Sequence, residues 1–230
     1  MENNQTMRLM RELCRLFSRT GQVKGVRVLF PDPVEMNIAR TGAMAGPSGG
    51  VSSPGTTFMD GPFKDFGGKT DYLCDPNLWT ESGLSRLLGR HEPAALRMQP
   101  DDEIFMVAFP GLNLNEFLEM EELHRAFPQK PIISVCGDLE RIRSGYYWKS
   151  WARTEMGILR EFMPKFEITY LLHNFKGTCP GVLFRAYPGP YQACMRRNGS
   201  HLIAPVRSVR FTSFQAAIVS CRSSCASRKD

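Results

Sequence analysis

At 230 residues, with seven scattered cysteines and no CxxC pair, the chain suits one domain with reduced thiols, or one with appendages; neither a disulfide scaffold nor a zinc site is expected. The net charge of +6 sits wholly in residues 195–230, where seven Lys/Arg meet one acid; residues 1–194 hold 22 basic and 22 acidic groups. A neutral body exerts little long-range pull on phosphate, which argues against nucleic acid as a partner, and no run approaches the ~20 apolar residues of a transmembrane segment.

The start, MENNQTMRLM, has neither a secretory apolar core nor the composition of a transit peptide, so the chain reads as soluble and without an address. From Gln5 to Arg19, Met7, Met10, Leu13, Cys14 and Phe17 recur at helical steps with arginines between them, and Gly21 ends the helix. VRVLF, Val26 to Phe30, is a β-branched run stopped by Pro31 and Pro33, and it is the first expected strand.

Residues 41–70 carry eight glycines and three prolines, the composition of a loop insertion. Within them GPFKDFGGKT imitates a phosphate-binding loop. The GxxxxGKT spacing puts glycine where Phe63 stands, and no apolar strand precedes it, so a backbone amide cradle is not expected.

After a short helix around Ser82 to Leu88 the pattern becomes regular. IFMVAFP (Ile104 to Pro110) and PIISV (Pro131 to Val135) read as buried strands. Between them NEFLEMEELHRAF (Asn115 to Phe127) reads as a helix with Phe117, Met120, Leu123 and Phe127 inward and Glu119, Glu121 and Glu122 on a solvated face. Tyr146 to Phe162 is a longer helix closed by Pro164, and EITYLL (Glu167 to Leu172) and GVLFRAYPG (Gly181 to Gly189) are strands joined by a link too short for a crossover helix.

Strand, helix, strand, helix, strand followed by a short link predicts an α/β fold: a Rossmann-like, three-layer, doubly wound sheet, mostly parallel with an antiparallel edge hairpin. Residues 1–194 are read as one α/β domain and residues 195–230, rich in Ser and Arg, as a disordered basic tail.

Ligands of open parallel sheets gather beyond the carboxyl ends of the strands. That rule brings Asn113, Asn115, Asp138, Arg141, Arg143, His173, Asn174 and Lys176 to one candidate rim for a ligand or partner, with Tyr146, Tyr147 and Arg185 beside them. Two guanidiniums and a helix N-terminus there would suit an anion. The same groups also suit a loop pinned by Arg141 and Arg143 on Asp138 and Glu140, and aromatic residues packed for their helix. No GxGxxG, GxSxG or HExxH motif and no nucleophile beside a base is present, so no enzyme, metal or cofactor is expected.

The stretches RVLFPDP, TDYLCDP, DDEIFMVAFPGLNLNEFLEMEELHRAF, LERIRSGYYW, HNFKG and GVLFRAYPGPYQ resemble the chloroplast domain-of-unknown-function family of low photosystem II accumulation protein 3, also found C-terminal to a chloroplast adenylate kinase. The resemblance covers Val26 to Gln192 and carries no established catalytic residues. It implies a non-catalytic photosystem II assembly factor in the chloroplast stroma, in contact with the thylakoid. The implied partner is a photosystem II core subunit or the thylakoid insertion machinery. The alternative expectation is a nucleotide- or anion-binding α/β domain associated with plastid metabolism.

Overall fold

Val26, Val28 and Phe30 alternate with Arg27 and Leu29 along VRVLF, and each set is buried on its own side of a sheet. The computed structural model describes residues 2–42, 61–74, 92–111, 114–137, 153–175, 181–197, 200–205 and 217–221. These form four α-helices, α1 (Glu2–Arg19), α2 (Pro33–Thr41), α3 (Leu114–Ala126) and α4 (Arg153–Phe162). The strands are β1 (Val26–Phe30), β2 (Lys69–Tyr72), β3 (Ile104–Ala108), β4 (Ile132–Val135), β5 (Phe166–Phe175), β6 (Gly181–Ala186), β7 (Gln192–Arg197), β8 (Ser200–Pro205) and β9 (Ala217–Cys221). The described strands make one sheet in the order β2-β1-β3-β4-β9-β5-β6-β7-β8.

The first four strands are parallel, and helices cover both faces, as expected of a Rossmann-like three-layer fold. One core joins Leu29, Phe105, Val107 and Ile132 to Phe117, Met120 and Leu123 of α3 and to Leu159 and Phe162 of α4. The other joins Val28, Phe30, Met106, Ala108 and Val135 to Met7, Met10 and Cys14 of α1 and Ala39 of α2. Phe30, Phe105, Phe117 and Phe162 are each less than 2% exposed, and every such side chain contributes about 1.5–3 kcal/mol of burial.

Local chemistry sets the ends of α2. Asp32 caps it by accepting the Glu35 N–H at 2.8 Å, Pro33 takes the first helical position, and Gly42, at φ 76°, closes it while donating to the Ile38 carbonyl at 2.8 Å.

The antiparallel part extends well past a single hairpin. Tyr170 pairs with Ala186 and Phe175 with Gly181 in the expected β5–β6 hairpin, and β7 and β8 continue it. Where the sequence reading places a disordered tail from Met195, the chain supplies the end of β7, all of β8 and all of β9. β9 lies between β4 and β5 and is antiparallel to both: Ser134 and Ile168 pair with Val219 from its two sides. The AIVSC run is apolar at Ala217, Ile218 and Val219, although the Ser and Arg around it give the segment a polar average. The strands β4 and β5 still run in the same direction, now with a strand between them.

Two further corrections concern local burial. Lys69–Tyr72, at the end of the expected loop insertion, is an edge strand. Glu119 is fully buried instead of solvated, because the 3-10 turn Ala94–Arg97 packs on α3 and the Ala94 N–H donates to Glu119 Oε2 at 2.8 Å. Among the described residues no helix is long and apolar enough to cross a membrane.

Candidate functional site

The strand order β2-β1-β3-β4 reverses between β1 and β3, so the crevice where open α/β sheets bind ligands lies beyond Phe30 and Ala108. On the β1 side that place is occupied by Asp32 and Pro33. Pro33 has no N–H, and the Glu35 N–H is already bonded to Asp32, so two of the donors an anion would use at the N-terminus of α2 are gone. Burial, and then Asp32 beside it, raise the Glu35 carboxyl above its ordinary value, and its Oε2 is buried without a hydrogen-bond partner. The rim here is acidic.

On the β3 and β4 side the chain turns tightly. Phe109 and Cys136, the residues that follow the two strands, have φ of 32° and 55°, left-handed conformations that cost about 1–3 kcal/mol each. The Phe109 N–H donates to the Val135 carbonyl at 2.7 Å, and the Gly111 N–H donates to the buried Glu116 Oε2 at 2.7 Å. A Cβ at Gly137 would stand 2.5 Å from Ser134 Oγ and 2.9 Å from Pro110 Cγ, so only glycine fits where the turn after β4 closes down on the turn after β3. Burial raises the half-buried Cys136 thiol, and a hydrogen bond with Thr6 of α1 partly offsets the rise.

Of the residues expected at the rim, Asn113, Asp138, Arg141, Arg143, Tyr146, Tyr147 and Lys176 lie outside the described residues, as do the expected helix around Ser82 to Leu88 and the first part of the Tyr146 to Phe162 helix. Asn115 is the second residue of α3 and is buried, His173 is buried on β5, and Asn174 beside it is exposed. These three lie toward the same edge of the sheet, but β4 and β9 intervene between β3 and β5. Three inter-strand spacings of ~4.8 Å separate β3, which leads toward Asn115, from β5, which carries His173 and Asn174, by about 14 Å.

Arg185 has a different task. Its guanidinium reaches Tyr191 Oη at 3.1 Å, Glu167 Oε1 at 3.2 Å and the Gly189 carbonyl at 3.4 Å, with the Tyr191 ring 4.7 Å from its central carbon. It holds the AYPGPY turn in place.

The antiparallel strands display a feature that sequence reasoning missed. Tyr170 and Leu172 pair with Ala186 and Phe184, which puts all four side chains on one face, and Tyr170 meets Phe184 edge to face at 5.8 Å. Tyr170 and Leu172 remain 38% and 40% exposed, and Tyr187 at the end of β6 is 54% exposed. Its signal in the sequence is the apolar residue at every position of ITYLL except Thr169, which cannot all face one core.

A model of the family described as Domain of unknown function (DUF1995) matches residues 1–213. The chain belongs to that family. No curated protein and no solved structure matches it. The match takes in β1 to β8 and stops short of β9.

In this DUF1995 chain three of the recognisable stretches, RVLFPDP, TDYLCDP and DDEIF, meet in one ionic cluster at the opposite edge of the sheet. Arg27 Nε donates to Asp102 Oδ2 at 2.7 Å and its Nη1 to Asp71 Oδ2 at 3.2 Å. Arg97 Nε reaches Asp71 Oδ1 at 3.1 Å, and Lys69 Nζ reaches Asp102 Oδ1 at 3.0 Å and Asp101 Oδ1 at 2.6 Å. Burial alone would raise the Asp102 carboxyl, but hydrogen bonds from Arg27, the Gln99 N–H and Lys69 outweigh it and hold the group below the usual range. The cluster's two central groups, Arg27 and Asp102, are 5% and 1% exposed, so it tethers strands and is closed to ligands. Among the described residues no group of three or more His, Cys, Asp or Glu is arranged to hold a metal ion.

Proposed function

We propose that this DUF1995 chain is a non-catalytic assembly factor that works through protein contacts, in photosystem II biogenesis on the stromal side of the thylakoid. The process and the place come from the resemblance of its motifs to the low photosystem II accumulation protein 3 family. A photosystem II core subunit or the thylakoid insertion machinery is the partner that resemblance implies. The observation that carries the contact reading is the partly exposed apolar face of Tyr170 and Leu172, with Phe184 beside them, because apolar and aromatic groups left together at a surface are what a protein partner covers.

The other expectation, a nucleotide or anion in the strand-end crevice, has Asp32 and Glu35 against it. Phosphate would meet two carboxylates at the helix terminus that normally receives it.

The test is affinity capture with the full chain from chloroplast extract in mild detergent, beside a Tyr170→Ser/Leu172→Ser variant. The reading expects a photosystem II subunit or insertion component with the unaltered chain and its loss with the variant. Both substitutions are at partly exposed positions, and melting should shift little. Recovery of neither component, or equal recovery by the variant, would overturn it.

A further inference from the structure

GPFKDFGGKT has the composition of a phosphate loop without its spacing, and its structure offers an anion different chemistry. Lys69 and Thr70 begin a strand, so the helix terminus that a phosphate loop requires is not formed. The turn before them stands against α1 and leaves a cavity of about 100 Å³ between the two. Arg11, Arg15 and Ser18 line it from α1, and Phe63, Asp65 and Phe66 line it from the turn.

Both walls are fixed. Met7, Met10 and Cys14 bury the inner side of α1, which leaves Arg11 and Arg15, one helical turn apart, beside the opening. The Phe63 N–H donates to the Ala39 carbonyl at 2.9 Å, and its ring meets Phe30 and Phe66 edge to face at 5.4 Å each. A Cβ at Gly61 would fall 2.3 Å from the Arg40 carbonyl oxygen, so the turn is seated hard against the end of α2.

The charges inside are not used up. Arg15 pairs with Glu12 at 2.9 Å, an exposed pair that holds little energy. Arg11 is half-buried, Asp65 across the cavity is exposed, and neither makes an ion pair or hydrogen bond among the described residues. The space is several times the ~10–15 Å³ that one water needs, and well below the ~300 Å³ of a pocket that encloses a drug-sized molecule. It fits one tetrahedral group and excludes a nucleoside. Planar guanidiniums beside apolar walls are the donors that phosphate geometry selects.

We propose that this cleft binds a phosphate-type oxyanion through Arg11 and Arg15, with Asp65 limiting the charge it accepts. Asp65 repels a dianion and accepts a hydrogen bond from a protonated oxygen, so the preferred form is the monoanion. The site lies on the α1 face of the sheet and is independent of the partner contacts proposed above.

The experiment follows thermal melting of the full chain at constant ionic strength while phosphate replaces chloride. Inorganic phosphate, glycerol phosphate and vesicles of anionic phospholipid, the last read by co-sedimentation, separate a free ion from an ester and from a lipid headgroup. The melting temperature should rise saturably with phosphate or its ester, or the vesicles should retain the protein. Arg11→Gln should weaken the responding arm about tenfold or more, and Asp65→Asn should strengthen it. Arg8→Gln, on the same helix but outside the cleft, should leave it unchanged. Arg15→Gln gives a second reading of the site should Arg11→Gln melt differently without phosphate. No response in any arm, or equal losses with Arg8→Gln and Arg11→Gln, would overturn the proposal.

Discussion

Arg27 on β1 donates its Nε–H to Asp102 Oδ2 at 2.7 Å across 75 residues of chain, with side-chain exposures of 6% and 0%. The second guanidinium contact, to Asp71 at 3.2 Å, brings in β2. One residue therefore ties the edge strand to β1 and to the turn that enters β3, which is why three separated motifs in the sequence serve one structural end.

Replacing Asp102 by Asn should cost about 1–3 kcal/mol, because the buried Arg27 loses its shorter charged contact and keeps only the one to Asp71. Urea unfolding measures this. The Asp102 carboxyl is held below its ordinary range, so its contribution is complete above the unfolded value of about 3.9 and is lost as pH falls through the lower folded value. The unaltered chain should lose stability more steeply below about pH 4 than the Asn variant, and parallel acid limbs would contradict this.

Glu119 should show the same logic through the hydrogen bond it accepts from the Ala94 N–H. Glu119→Ala leaves the Ala94 N–H without its carboxylate acceptor inside the core and should cost about 1–3 kcal/mol, while Glu119→Gln, which keeps an acceptor, should cost less. Chemical denaturation of both variants decides it, and equal losses would assign the effect to packing.

His124 on α3 packs on the Phe162 ring at 5.6 Å. Burial first, and then the Lys165 charge, lower its pKa below 6.5, against a smaller opposing effect of Glu121. A depressed folded value means that stability is full above pH 6.5 and declines as pH falls from there toward the folded pKa. His124→Phe should flatten the profile between pH 7 and 5 as followed by denaturant midpoints, and an unchanged slope would place the effect elsewhere.

The elements with strong periodicity were legible in the sequence. Val26–Phe30 forms a strand with the expected bounds, and Ile104–Ala108, Leu114–Ala126 and Ile132–Val135 agree within two residues, because alternation or a continuous apolar run marks them. Lys69–Tyr72 was illegible because KTDY is a polar edge strand held by its ladder to β1 and by the ionic cluster. Glu119 was misread because helical spacing assigns acids outward, and only the 3-10 turn packed on that side of α3 makes burial possible. The parallel order of β1, β3 and β4 followed from the order of elements alone. The spacing between β4 and β5 did not, since nothing in local pattern says that β9 enters between them.

That insertion is the most direct test of the account, because the separation of β4 from β5 and the continuous sheet leading to the Tyr170 face both depend on it. Amide hydrogen exchange of Ala217 to Cys221, followed by mass spectrometry on the native chain, reads it. A strand bonded on both sides, with Val219 opposite Ser134 and Ile168, should be protected to nearly the same degree as β3. Exchange of those amides at the rate of an unstructured peptide would contradict it.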